Sequence, residues 1–350
     1  HDFGKYTPYF QTYLLTGEKK NNLHFHSYIS AVWTAYLLCE KYSWEGWGRY
    51  SPLLGFLAVL HHHDDLGSLE HDIPQERDMN AELMELLGHI SPHADKLERL
   101  EKQIDSLMAY SDNITCDYQS LLGISVSMHE FRDGYAQMFK KLDQLKKQLA
   151  MEDDVVKIKL FYYLQLLFSL LIDGDKHSAA DVPFTERYSL PPDLVDRYAA
   201  KHFTGVAESV LDRLRADFAQ TAKKQLAQFN EKVRLYTMTS PTGSGKTLTS
   251  FSLALGMRKA IRNAFGYEAR IIYALPFTSI IEQNFAVLRD VLSFIPEFSS
   301  SEGRYLLKHH HLAEVAYKEN HTEKPNSDAL LLMESWEAEV VVTTFYQLLH

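Results

Sequence analysis

The residues able to do chemistry fall in two groups: scattered histidines and aspartates, and a lysine set in a glycine-containing loop. The chain opens His1-Asp2-Phe3-Gly4-Lys5. An adjacent His and Asp offer one neutral nitrogen donor and one carboxylate that can bridge two cations. Gly4 allows a tight backbone, and Lys5 can bring a positive charge to a phosphate. Further donors come much later. His26 opens a helical pattern, the pair His62 and His63 closes an apolar one, and Asp175 closes another. Donors at the ends of packed helices are held rigidly, as a metal site requires. One His-Asp dipeptide is usually incidental, but four separated segments that fit one site are far more specific. His71, His89, His93, His129, His177, His202, His309, His310 and His311 read as surface or loop residues.

The second group is Ser240, Pro241, Thr242, Gly243, Ser244, Gly245, Lys246 and Thr247. It follows a β-branched run and opens a helix, the setting that a phosphate-binding loop requires. The glycines let the backbone curl so that successive N–H groups face phosphate oxygens, and the helix N-terminus favours the anion. Lys246 would reach the β- and γ-phosphates of ATP, and Thr247 would sit on its Mg²⁺. Ser240 stands where the pattern has a first glycine.

These residues need elements to hold them. Apolar spacing predicts helices over 26–41, 52–63, 79–87, 94–106, 131–151 and 154–172, the last apolar on nearly every side and so expected to be a buried central helix. The stretch 173–192, rich in Asp, Ser and Pro, reads as the exit from this helical domain. Beyond it, helices over 205–230, 246–264 and 279–292 alternate with strands over 235–239, 270–275 and 338–343. That rhythm signals βαβ units and a parallel sheet. The expected fold is an α-helical domain over 1–200 followed by an incomplete α/β domain over 201–350.

Composition narrows the class. With 45% hydrophobic and 23% charged residues, the chain has the make-up of an ordinary globular protein. The apolar stretch 160–172 is too short for a bilayer span and reads as a buried helix. No secretory leader pattern opens the chain, and Cys39 and Cys116 give no disulfide framework, which suits a reducing cytoplasm. Residues 1–200 carry 19 Lys+Arg against 30 Asp+Glu, whereas residues 201–350 carry 17 against 16. An acidic, His-rich first half fits a domain neutralised by bound cations. Both ends look abrupt, so the sequence is expected to be part of something longer.

Two resemblances join these observations. The loop 240–247, the segment from Tyr273 to Asn284 and the segment from Val340 to Leu349 are similar to a superfamily 2 helicase, in that order. The second and third segments then imply DNA-backbone contacts from Pro276, Thr278, Thr343 and Thr344, through hydroxyls and strand-end N–H groups that touch phosphates without reading sequence. The His/Asp segments resemble the HD nuclease domain of the CRISPR-associated helicase–nuclease of type I systems. This likeness covers essentially the whole chain. It implies metal-ligand roles for His1, Asp2, His26, His62, His63 and Asp175, with Asp2 and Lys5 serving catalysis. Asp173 competes with Asp175, and registration with the family's helix-end aspartate favours Asp175. The family normally has one more ligand histidine upstream of the His-Asp pair, and reads His-His-Gly where Asp64 follows here and His61 precedes.

The family implies a metal-dependent, single-strand-specific DNA nuclease coupled to an ATP-dependent helicase in defence against foreign DNA. Its cofactors would be two divalent ions (Mn, Co, Ni or Mg) and ATP with Mg. Its partners would be single-stranded DNA, a crRNA-guided Cascade complex and a protein inhibitor, with no membrane. The acidic motif and the arginine-bearing second lobe are expected beyond His350, so nucleotide binding without turnover is the expectation for these 350 residues. Two rivals carry different tests. A nucleotide phosphohydrolase with a regulatory ATPase lobe would cleave small phosphodiesters without DNA, and a non-catalytic docking module on a remodelling motor would cleave nothing.

Overall fold

The computed structural model describes residues 1–19, 22–42, 45–67, 69–74, 93–182, 186–203, 209–227, 230, 232–309, 318–319, 322–323 and 335–349. Two compact units are formed, His1–Lys176 and His177–His350.

Helix starts in the first unit follow from local capping. The Thr7 hydroxyl accepts the Phe10 N–H and Pro8 fills the first turn of α1 (Pro8–Thr16), while Ser127 caps the long α7 in the same way. After a 3₁₀ turn at Phe3–Tyr6, the order is α1, α2 (Ser27–Glu40), α3 (Ser51–Leu60), the short α4 (Leu69–Asp72), α5 (Ala94–Leu107), α6 (Ser111–Leu122), α7 (Met128–Met151) and α8 (Asp154–Ala180). One apolar core gathers Trp33 of α2, Phe56 of α3, Leu100 and Ile104 of α5, and Phe131 and Phe139 of α7, all essentially inaccessible. Phe3 reaches into it, stacked on Trp33 at 4.3 Å between ring centres, while Trp33 Nε1 donates to the Tyr118 hydroxyl at 2.7 Å. Fully burying a ring of this size contributes about 1.5–3 kcal/mol. The N-terminal turn is thus pinned by its own Phe3.

The predicted helices over 26–41, 52–63, 94–106 and 131–151 are present, with ends shifted by up to three residues. The one predicted over 79–87 lies outside the described residues. The helix expected over 154–172 differs more. It runs on to Ala180 as α8, so Asp173 and Asp175 lie within it instead of at its end. It is also not a buried central helix. Val156, Leu160, Leu164 and Leu171 form the stripe that meets the core, whereas Phe161, Tyr162, Tyr163, Leu166, Leu167 and Leu170 are exposed. An all-round apolar sequence permits covering on every face, but does not dictate how many faces a small unit covers. By length and composition alone α8 could cross a bilayer, a test that core helices also pass.

The second unit is built on α9 (Leu194–His202), α10 (Val210–Leu226), α11 (Lys246–Phe265), β1 (Ile271–Leu275), α12 (Thr278–Leu292), α13 (Glu302–Tyr305), β2 (Leu306–His309), β3 (Lys318–Glu319), β4 (Thr322–Glu323), β5 (Val340–Thr344) and α14 (Phe345–Leu349). Three strands form a parallel sheet in the order β1-β5-β2, with Ile271 opposite Val340 and Leu275 opposite Thr344; β3 and β4 pair antiparallel. The run Val340-Val341-Val342-Thr343 of the middle strand is buried on both faces, as a central parallel strand should be. Its core includes Phe251 and Leu255 of α11, Ile281, Leu288 and Val291 of α12, and Leu194 of α9.

The strand predicted over 235–239 is extended chain without a ladder partner among the described residues, and Leu235 is 80% exposed. Both edges of β5 are taken by β1 and β2, and β-branched residues make a strand only where a neighbour supplies hydrogen bonds.

Candidate functional site

Gly4 sets the first constraint. A Cβ there would lie 2.6 Å from the His26 carbonyl oxygen and 2.6 Å from Ile29 Cγ2, so only glycine lets the N-terminal turn press against the start of α2. The Gly4 N–H donates to Ser30 Oγ at 2.8 Å and fixes that approach. Asp2 is thereby held beside His26, the residue preceding α2. His62 and His63 lie in the turn that follows α3, and Asp175 projects from α8.

All six expected ligands converge. Donor atoms of His1, Asp2 and Asp175 lie within 4.8 Å of one another, and so do those of His26, His62 and His63. His1 Nε2 is 3.1 Å from Asp175 Oδ1 and 3.3 Å from Asp2 Oδ2. His63 Nε2 and His26 Nε2 are 3.1 Å apart. Asp2 belongs to the first set and reaches toward the second: Oδ2 faces His1 and accepts from Lys5 Nζ at 2.8 Å, while Oδ1 is 3.5 Å from His26 Nε2. Asp175, rather than Asp173, is the aspartate in these clusters among the described residues.

Electrostatics suit cation binding. Burial, helped by the neighbouring His63, pushes His26 down to about 4, and burial likewise lowers His62. Both rings are therefore neutral donors at pH 7. His1 is raised, first by its hydrogen bond to Asp2 and against the effect of burial. Burial alone would raise the Asp2 carboxyl, but hydrogen bonds from His1 and Lys5 hold it well below the usual carboxylate range. His62 Nδ1 donates to the Val59 carbonyl at 2.6 Å, which turns its buried Nε2 into an acceptor without a hydrogen-bond partner. Asp2 Oδ1 is a second buried atom with no hydrogen-bond partner. The neutral His26 and His62 rings, the ionised Asp2 carboxylate and two orphaned donor atoms fit divalent transition metals.

Sequence reading missed several neighbours. His61 Nε2 lies 2.9 Å from Asp72 Oδ2, which ties the turn carrying His62 and His63 to α4. His24 is buried against Tyr13 and Phe25. His93 and His177 are buried rather than on the surface, and His177 Nε2 faces Glu337 Oε1 at 3.0 Å. Their burial depends on partners distant in sequence, which local pattern does not reveal. His89, His310 and His311 lie outside the described residues.

In the second unit, Gly243 and Gly245 adopt φ of +78° and +81°, the left-handed region that the curled loop requires. Ser244 Oγ donates to the Pro241 carbonyl at 2.8 Å and sits 2.7 Å from Ser240 Oγ, so the serine at the first position takes part in the loop's own bonding. Lys246 Nζ donates back to the carbonyls of Ser240 at 2.7 Å and Pro241 at 3.1 Å. The 20-residue α11 starts directly behind Gly245 without a side-chain cap, leaving its first N–H groups for an anion. Arg215 of α10 donates from Nε to the Gly243 carbonyl at 2.9 Å. No motif pointed to Arg215, because it lies outside the loop.

Pro276, Thr278 and Thr344 share an open cleft of about 780 Å³ with Phe277, Ser279, Phe345, Tyr346 and Gln347. Thr344 Oγ1 accepts the Gln347 N–H at 3.1 Å, which leaves its hydroxyl hydrogen to donate. Thr343 is fully buried in β5, outside the cleft lining. Glu339 does not face a nucleotide: Arg187, Arg258 and the Tyr188 N–H bind its carboxylate. Glu334 lies outside the described residues.

No protein-family model matches the chain. It is 26% identical, over 380 aligned residues, to the CRISPR-associated nuclease/helicase Cas3 of Haloferax volcanii, covering 99% of this chain and 38% of that protein. Among solved structures it is similar to the crystal structure of T. fusca Cas3, at 15% identity and a TM-score of 0.41, covering 99% of this chain and 37% of that one. The chain thus spans well under half the length of the relatives it matches. By sequence, the chain is similar to this CRISPR-associated nuclease/helicase over that part of its length.

Proposed function

We propose that the chain joins an HD-type metal-dependent DNA nuclease, in the unit His1–Lys176, to the first RecA-like lobe of an ATP-driven helicase, in the unit His177–His350, a boundary earlier than the 200/201 expected from sequence. Asp2 carries this reading, because one oxygen faces His1 and Lys5 while the other faces His26, between two donor sets. His1, Asp2 and Asp175 would hold one divalent ion, and His26, His62 and His63 the other, with Asp2 shared. Mn²⁺, Co²⁺ or Ni²⁺ suits so many imidazoles better than Mg²⁺ does. When bound, such ions supply a water with pKa near about 7 and neutralise the scissile phosphate. Lys5 keeps Asp2 ionised and presents a cation to the DNA backbone.

In the second unit, the N–H groups of 243–247 and the Lys246 ammonium would bind the triphosphate of ATP, with Thr247 toward Mg²⁺. Thr278 and Thr344 would hold DNA phosphates at the sheet's C-terminal edge, the side on which parallel sheets bind ligands. Thr343, buried beside them, would shape the strand end. The Cas3 resemblance extends the reading to single-stranded DNA, a crRNA-guided Cascade complex and a protein inhibitor as partners, and to cytoplasmic work against foreign DNA. The two free cysteines agree with a reducing compartment.

Circular single-stranded DNA incubated with the protein and Mn²⁺ tests this reading. Nicking should occur and stop with chelator, and Lys246→Ala should abolish ATP binding without slowing it. Hydrolysis of small nucleotide phosphodiesters with DNA left intact would show a nucleotide phosphohydrolase instead.

A further inference from the structure

Hydroxyls at the end of the sheet account for phosphate contacts but leave three aromatic rings unexplained. Phe277 is 65% exposed, Phe345 52% and Tyr346 68%, and all three line the same open cleft. Topology brings them together. β1 and β5 are parallel neighbours with Leu275 opposite Thr344, so the residues just past each strand leave the sheet at the same end. Large rings gain most from being covered, and several exposed side by side at one cleft mark a binding surface.

The rest of the lining identifies the occupant. Thr278, Ser279 and Thr344 contribute hydroxyls, and the 15-residue α12 begins at Thr278 with no side-chain cap on its first N–H groups. Among the described residues no carboxylate lines the cleft, and Pro276 is its sole aliphatic side chain. An apolar protein segment would call for aliphatic walls. Flat ring faces interleaved with hydrogen-bond donors match a polymer that alternates flat bases with anionic linkages.

We propose that this cleft is a base-stacking site for single-stranded nucleic acid, in which Phe277, Phe345 and Tyr346 cover unpaired bases while Thr278, Ser279 and Thr344 hold the adjoining phosphates. The inference rests on the nucleic-acid reading of the second unit and adds a source of strand selectivity. Bases within a duplex are already stacked on one another, so the rings favour single strands, and every base offers a π-face, so sequence matters little.

Fluorescence anisotropy tests it, with the whole protein in chelator and two labelled oligonucleotides of equal length, one of thymidine and one abasic. The thymidine strand should bind more tightly, on the order of tenfold for each covered base. Phe277→Ala and Tyr346→Ala should each remove about that factor for thymidine and leave abasic binding unchanged. Thr278→Val should weaken both strands alike. Equal affinity of the unaltered protein for the two strands would overturn the stacking site and leave backbone binding intact. Failure to bind either strand would overturn the nucleic-acid reading itself.

Discussion

Asp2 and Gly4 show how far single residues reach at this site. Asp2 organises two donor sets, and Gly4 makes its position possible by having no side chain. Gly4→Ala must push a methyl into the His26 carbonyl, a backbone atom that cannot swing away. Urea unfolding should show a loss of about 1–3 kcal/mol. Mn²⁺ affinity measured by calorimetry should fall on the order of tenfold, because Asp2 and His26 move apart. Unchanged affinity would mean that the close approach does not position the ligands. The six clustered residues had been singled out in the sequence as histidines and aspartates in four separated segments, although Asp175 lies within α8 and not at its end. The orphaned His62 Nε2 and the His61–Asp72 contact were not legible, since both depend on the turn after α3. Arg215 was illegible for the same reason: its role is a contact with one carbonyl 28 residues away.

At the scale of elements, the second unit is fastened by a buried carboxylate. Glu339, just before β5, is 1% exposed and is held by Arg187, Arg258 and the Tyr188 N–H, and Arg258 also binds Glu268. This network joins the segment entering α9 to the end of α11 and to the central strand. Removing the acid strands a buried guanidinium, so Glu339→Ala should cost about 3–5 kcal/mol by denaturant unfolding. Burial alone would raise the Glu339 carboxyl, but the arginines and the backbone N–H lower it below its ordinary value. A depressed folded value gives stability that is fully present above the unfolded carboxylate range and is lost as pH falls through the folded value. Thermal unfolding should therefore show a drop below about pH 4 that Glu339→Gln flattens. An identical pH profile in the variant would show that the network does not set acid stability. In this unit α10, α11 and α12 and the strands β1 and β5 were legible from spacing, whereas α9 and the strand β2 were not. The failed strand over 235–239 and the exposed face of α8 share one cause. Sequence reports what an element could bury or pair with, and the neighbours decide what it does.

Across the whole molecule, the uneven charge takes on meaning. Residues 1–200 have a balance of −11, and the described His/Asp clusters lie within that acidic part, whereas residues 201–350 balance at +1 and carry the glycine-containing loop 240–247. Each unit has its own core, so each should answer its own ligand. Calorimetric scans should show Mn²⁺ at a hundredfold excess over its Kd stabilising the first unit by about 2.7 kcal/mol, with ATP acting on the second. Both ligands shifting one common transition equally would contradict the assignment of separate sites. The central claim is that Asp2 bridges two metal ions, and titration of the metal-free protein with Mn²⁺ tests it most directly. The unaltered protein should take up about two ions per chain, and Asp2→Ala should lose affinity for both while keeping its helical content. Unchanged stoichiometry and affinity in Asp2→Ala would contradict the bridging carboxylate and, with it, the two-metal account of this site.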